Sequence, residues 1–299
     1  MSVRIGINPI TWSNDDMPSL GGDTPLETCL SETKRAGYAG TEMGGKFPKT
    51  AKELKPILDR HGLKFISGWY SAKLLERTAE QEIAAVAQHL DLMADMGCPV
   101  MVFAEGSGAT HGDRTKPADT RRRIGANEWA EYGKRITAVG KHMLKRGVRL
   151  AFHHHMGTAI QTGDEIDRLM RASGPEVGLL LDTGHATYAG CDPLALARKH
   201  AKRIAHVHCK DVRLPVLDAA KKKNESFLDS VLDGVFTVPG DGAVAFPPVL
   251  KHLHDQGYRG WLVVEAEQDP AKAHPLTYAK MGFAYLSKAA KDAGFTVAD

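Results

Sequence analysis

Val177–His185, VGLLLDTGH, is the stretch whose reading decides the fold: an apolar run that stops on a carboxylate, Asp182, with an imidazole, His185, three residues further on. A short apolar run with no polar alternation reads as a strand covered on both faces, the kind found in parallel sheets. The same make recurs along the chain in VRIGIN from Val3, YAGTEM from Tyr38, LKFISGWY from Leu63, PVMVFAE from Pro99, VRLAFHHH from Val148, RIAHVHC from Arg203 and GWLVVEAE from Gly260. Helical patterns lie between them, and Thr24-Pro25-Leu26-Glu27 and Thr78-Ala79-Glu80-Gln81 both read as capping boxes that start helices. Strand and helix alternating eight times within 299 residues point to an α/β chain folded as one (β/α)8 TIM barrel domain over residues 1–299. An open doubly wound sheet is the alternative. It is disfavoured because no glycine-rich dinucleotide fingerprint follows the first strand.

At 42% hydrophobic and 25% charged residues the chain can bury a large core, and its net charge of +3 gives little reason to expect nucleic acid or an anionic membrane as partner. No run approaches the ~18 to 20 apolar residues of a membrane span, and MSVRIGINPI lacks the basic head and apolar core of a secretion signal. Cys29, Cys98, Cys191 and Cys209 form no C-x-x-C pair, which fits reduced thiols. A soluble, cytoplasmic chain is the expectation. Two long connections, Gly106 to about Arg123 and Val212 to about Ala245, follow strands and are candidate lids or contacts of a homo-oligomer. Within the first, GSGATHG lacks the lysine of a phosphate-binding loop and reads as a flexible connection. The triplets Arg121–Arg123 and Lys221–Lys223 read as solvated faces.

In a barrel, ionisable residues at the C-terminal ends of strands converge on one mouth. This chain has 14 histidines and places many of them there. The strand ends carry Glu42, Glu105, His153-His154-His155, Asp182, His206 and His208, and Glu265 and Glu267. Alternation puts His153 with His155, His206 with His208, and Glu265 with Glu267 on shared faces. Any one of them alone is adequately explained as a hydrogen-bonded strand end. Together, carboxylates and imidazoles in an apolar interior need a common partner, and a divalent cation satisfies them at once. Mixed oxygen and nitrogen ligands suit Mn²⁺, Co²⁺, Fe²⁺ or Zn²⁺. Asp182, His208 and Glu265 are the core of that set; His185 is expected to face substrate. Cys209, between His208 and Lys210, reads as a packing thiol. Lys210 and Asp211 are a candidate positioning pair, with a surface ion pair as the alternative, and Asp241 in VPGDG is either a turn residue or a support behind the metal.

LLLDTGH, YAGCDP, RIAHVHCKDVR, PGDG and YRGWLVVEAE together resemble the xylose-isomerase-like barrel superfamily of sugar isomerases, epimerases and dehydratases. Within it, INPITWSNDDMPSLGG, FHHHMGT, VFTVPGDG and VVEAEQDPAKA are similar to the inosose dehydratase family. The resemblance implies a metal held by Asp182, His208, Glu265 and, where many relatives carry a glutamate, His153. It implies loss of water from 2-keto-myo-inositol to a trihydroxycyclohexane-1,2-dione in inositol catabolism, with a small polyol ketone as the partner. Exchanging carboxylate for imidazole at His153 makes the site less anionic and favours a transition metal, Mn²⁺ or Co²⁺. His185, His155, Glu267 and Lys210 are the expected catalytic groups, with Glu42 as a competing base; the family also brings glutathione into question as a cofactor. A ketose epimerase or sugar isomerase of the same superfamily is the alternative.

Overall fold

The computed structural model describes residues 1–298. Its strands are β1 (Ser2–Ile7), β2 (Gly40–Thr41), β3 (Lys64–Phe65), β4 (Trp69–Ala72), β5 (Val100–Glu105), β6 (Arg149–His153), β7 (Val177–Asp182), β8 (Ile204–Cys209), β9 (Asp211–Val212), β10 (Phe236–Thr237), β11 (Gly260–Val264) and β12 (Thr296–Ala298). Eleven helices intervene: α1 (Leu26–Ala36), α2 (Ala51–His61), α3 (Ala79–Asp95), α4 (Trp129–Leu144), α5 (Gly163–Ala172), α6 (Thr183–Tyr188), α7 (Pro193–Lys199), α8 (Leu214–Lys223), α9 (Phe227–Leu232), α10 (Phe246–Asp255) and α11 (Pro275–Asp292).

The main sheet is parallel, in the order β3-β2-β1-β11-β8-β7-β6-β5-β4, with β12 added along the start of β1. It closes through a single bent stretch of chain. LKFISGWY, read as one strand, is β3 and β4 with Ile66–Gly68 between: Ile66 N–H donates to Thr41 O at 3.0 Å, Met43 N–H to Ser67 O at 2.9 Å, and Val102 N–H to the Ser67 hydroxyl at 3.0 Å. This one stretch therefore binds β2 on one side and β5 on the other, and eight strand positions complete the expected barrel.

Parity sorts the side chains. Val100, Val102, Ala151 and Leu180 form one interior cluster and Ile66, Trp261 and Val263 another, whereas Met101, Phe103, Leu150, Phe152, Leu179, Leu181, Leu262 and Val264 pack outward in the cluster shared with the helices. The interior parity, carried two residues further, delivers His153, Asp182, and Glu265 to the mouth. On β8 a bulge is needed for this. Leu179 pairs with Ile204 but Leu180 with His206, so Ala205 is the extra residue, and His208 falls opposite Asp182. Gly178 makes room for it, since a β-carbon there would lie 2.6 Å from that of Ala205.

The Thr78 capping box forms as expected, and a second one forms at Thr162 with Glu165. The Thr24 box does not: Pro25 is the N-cap of α1 and makes no side-chain cap, while Thr24 is held in a turn by its N–H to Gly21 O at 3.0 Å. The Val212–Ala245 connection contains β9, α8, α9 and β10 rather than a bare loop. Arg121 is not solvated. Its buried guanidinium grips Glu165 at 2.8 and 3.0 Å and the Ala159 carbonyl at 3.1 Å, whereas Lys221–Lys223 are exposed as expected.

Candidate functional site

The barrel mouth gathers three overlapping groups of ligand-type atoms, each with its atoms within 4.8 Å of one another: His153, Asp182, His208 and Glu265; Glu42, His206 and His208; and His155, His185 and Glu267. All are buried. Asp182 ends β7 and caps α6, so Oδ1 accepts the His185 N–H at 2.7 Å while Oδ2 has no hydrogen-bond donor. His185 thus begins a helix rather than standing in a turn. Both ring nitrogens of His153 also lack partners. Orphaned buried polar atoms are costly, and here they point at one another: His153 Nε2 is 3.7 Å and His208 Nδ1 3.5 Å from Asp182 Oδ2. A divalent cation fits this donor set. It would also offset the excess of buried carboxylates, Glu42, Asp182, Glu265 and Glu267, over the lone lysine, Lys210.

Glu42 holds this group from behind. Its carboxylate accepts from Asn8 Nδ2 at 2.9 Å and lies 2.9 Å from His206 Nε2 and 3.2 Å from His208 Nε2. With Nε2 engaged, His208 turns Nδ1 toward Asp182 and toward Glu265 Oε2 at 3.0 Å. A carboxylate behind a histidine is the usual way to fix which nitrogen faces a metal. Burial pushes Glu42 up, but His208 and His206 outweigh it and bring it down to about 2.

The triple histidine divides three ways. His153 joins the Asp182 group. His154 turns outward, where its Nε2 accepts the Asp182 N–H at 3.3 Å, and burial lowers it to about 4. His155 donates Nδ1–H to Met156 O at 2.7 Å, leaving Nε2 with its lone pair; burial first, then His111 and Lys210, hold it well below the usual imidazole range. His185 packs 3.9 Å from His155, ring centre to ring centre, and is held neutral by burial, His155 and Lys210.

Lys210 is fully buried, not part of a surface ion pair. Nζ lies 2.7 Å from Glu265 Oε1, 2.6 Å from Glu267 Oε2 and 3.0 Å from His185 Nε2. Its stem passes so close to Gly184 that a β-carbon there would come within 2.4 Å. Burial and Glu265 raise Glu267 to about 7 against the pull of Lys210. Asp211 points away and anchors a loop, accepting N–H bonds from Val212, Gly240, Gly242 and Val244. Asp241 accepts from Arg213 at 2.6 Å and from the Thr237 hydroxyl at 2.7 Å, so its carboxylate serves the turn rather than the candidate ligands. Glu105 is likewise elsewhere: it leaves β5 with outward parity and accepts from Leu74 N and Ser107 N. Cys209 is buried as a packing thiol.

A cavity of about 300 Å³ opens onto these groups, lined by His155, Glu265, Glu267, Asn8, Trp69, Asp16 and Lys49 among others. Residue type and spacing alone do not mark Asn8, Trp69 and Asp16 as cavity residues. For Asn8 the available signal is alternation along VRIGIN, which places Gly6 and Asn8 on one face.

The chain belongs to the xylose isomerase-like TIM barrel family, whose profile matches residues 30–289. Within that class, it is 55% identical over 295 residues, 99% of this chain and 91% of the relative, to the rhizopine catabolism protein MocC of Rhizobium meliloti. It is 44% identical over 286 residues, 95% of this chain and 96% of the relative, to the inosose dehydratase of Geobacillus thermodenitrificans. Among solved structures an L-ribulose 3-epimerase superposes with a TM-score of 0.69 at 16% identity, covering 98% of this chain and 96% of that one, a likeness of fold alone.

Proposed function

We propose that the chain is a metal-dependent inosose dehydratase, a hydro-lyase that removes water from 2-keto-myo-inositol in inositol catabolism. The observation that carries this reading is an imidazole base and a protonatable carboxyl group facing one cavity, His155 and Glu267, beside a four-residue cation site. His153, Asp182, His208 and Glu265 would hold the ion, and the imidazole-bearing donor set favours Mn²⁺ or Co²⁺. Bound there, the ion would act as a Lewis acid on the ketone and its neighbouring hydroxyl. His155, neutral with Nε2 free, takes the proton beside the ketone. Glu267, with a pKa near neutrality, hands a proton to the departing β-hydroxyl, and Lys210 stabilises the carboxylate that results. His185, buried behind His155 and Lys210, orients both. Glu42 is the weaker base, being ionised well below neutrality and engaged by three donors. No nicotinamide is required, since dehydration followed by ketonisation is redox neutral.

We read residues 1–299 as one barrel domain. The four free cysteines are consistent with the cytoplasm, and no helix among the described residues is long and apolar enough to cross a membrane. The higher identity to MocC favours a second reading, a role in rhizopine catabolism on a related small molecule. Incubating the metal-loaded chain with 2-keto-myo-inositol in D2O and weighing the product distinguishes the outcomes. Loss of one water supports the dehydratase. Deuterium uptake or an isomer without water loss supports the epimerase or isomerase, and an untouched ketone directs the search to rhizopine-derived substrates.

A further inference from the structure

Two sequence features are left over by this account: the TWSNDD stretch near the start and the GSGATHG loop. They meet at the edge of the cavity: Asp15 and Asp16 line it, and His111 packs against the rings of Trp69 and His155, which line it too. Asn14, buried, accepts the N–H groups of Asp16 and Met17 at 2.8 and 2.9 Å, and Asp15 accepts the Gly45 N–H, so the turn carrying Asp16 is fixed to the loop after β2. The other segment is fixed to the triple-histidine turn. Thr110 N–H donates to Gly157 O at 2.8 Å, and Gly157 adopts φ +73° where a β-carbon would lie 2.8 Å from the His111 nitrogen. FHHHMGT therefore requires glycine at 157 in order to seat His111.

So placed, His111 stands 5.0 Å from His155 and 6.2 Å from Trp69, ring centre to ring centre, with Nδ1 buried and unpartnered. Its Nε2 lies 3.9 Å from Asp16 Oδ1, and Asp16 lines the cavity. That gap is too long for a hydrogen bond, yet one hydroxyl oxygen can sit about 2.8 Å from both atoms, accepting from the imidazole N–H and donating to the carboxylate.

We propose that His111 and Asp16 are specificity-determining residues that jointly bind a hydroxyl of the polyol which takes no part in bond breaking. The inference rests on the polyol reading of the site but not on turnover. His111 and Asp16 are partly screened from solvent, with side chains 14% and 33% exposed, and a ligand that covers both without offering a hydroxyl strips their water without a replacement.

The test is binding of myo-inositol, which keeps the hydroxyl array without the ketone, to the full-length chain by calorimetry. His111→Ala weakens binding on the order of 2- to 10-fold, the range for an N–H to hydroxyl hydrogen bond, and Asp16→Ala on the order of 10- to 100-fold, the range for one with a carboxylate. The loss in the double variant falls short of the product of the two single losses, since both residues hold the same hydroxyl. His111→Gln, which keeps an N–H donor, recovers part of the loss. Unchanged affinity in the single variants, losses that multiply in the double variant, or no binding of myo-inositol by the wild-type chain would overturn the proposal. Turnover is scored separately: a chain that binds the polyol through this pair but expels no water removes the dehydratase reading and leaves this one in place.

Discussion

Replacing Lys210 with Met keeps the length of a side chain that is fully buried and removes the only cation among Glu265, Glu267 and His185. Breaking a buried ion cluster from one side costs up to about 3–5 kcal/mol; here Glu265 Oε1 keeps its burial and loses its cation, while Oε2 keeps Asn8 Nδ2 and His208 Nδ1, each at 3.0 Å. The pH dependence follows from Glu267, whose ordinary value of 4.5 is already raised to about 7 by burial and Glu265 with Lys210 pulling the other way. Below pH 7 it carries its proton in both proteins, so the penalty comes from Glu265 and does not vary through Glu267. Above pH 7 the wild-type group releases its proton beside Lys210 and the variant, its pKa raised further, retains it. The destabilisation therefore grows with rising pH by up to about 1.4 kcal/mol per unit. Urea unfolding of metal-free protein at pH 6.0 and 8.5, with the slope against denaturant compared between the two, measures it. A loss below about 1 kcal/mol, or one that shrinks as pH rises, would refute the reasoning.

Glu165→Gln leaves the buried Arg121 guanidinium unpaired and costs about 3 kcal/mol at neutral pH. Burial opposes the Glu165 charge, but the Gln161 and Thr162 N–H groups and Arg121 outweigh it and lower its pKa. Its contribution is thus complete above the ordinary carboxylate range and is lost as pH falls through the lowered value, so thermal melts of variant and wild type converge in acid. Gly157→Ala forces a β-carbon onto the His111 backbone in a left-handed conformation and costs about 1–3 kcal/mol, read as a lower Tm with faster proteolytic cutting between residues 106 and 123. Glu42→Gln removes the charge behind His208 Nε2 and weakens Co²⁺ binding by about 10- to 100-fold in competition with a chromogenic chelator.

The barrel was legible because strand positions and their C-terminal ionisable residues obey one rule, alternation, that needs only neighbouring residues. Glu105 marks the limit of the rule: it ends a strand as Asp182 does, but with the opposite parity, and its oxygens go to backbone N–H groups instead of the mouth. The bulge at Ala205 was invisible because its cause, the missing β-carbon of Gly178, lies on another strand. Arg121 read as solvent-facing because its partner Glu165 is 44 residues away. Lys210 is the clearest case. Nothing next to it in sequence distinguishes a surface lysine from one buried between two carboxylates, and only closure of the barrel brings Glu265 and Glu267 to it.

In the proposed mechanism His153, Asp182, His208 and Glu265 hold an ion on which dehydration depends. The direct measurement is chelator-stripped chain, reloaded with Mn²⁺ or Co²⁺ and assayed for bound metal and for water loss from 2-keto-myo-inositol, beside Asp182→Ala. About one ion per chain is expected, with turnover only when it is present and loss of both in the variant. Full turnover by the stripped chain, or an Asp182→Ala variant that binds the ion and dehydrates the ketone as well as wild type, would contradict it.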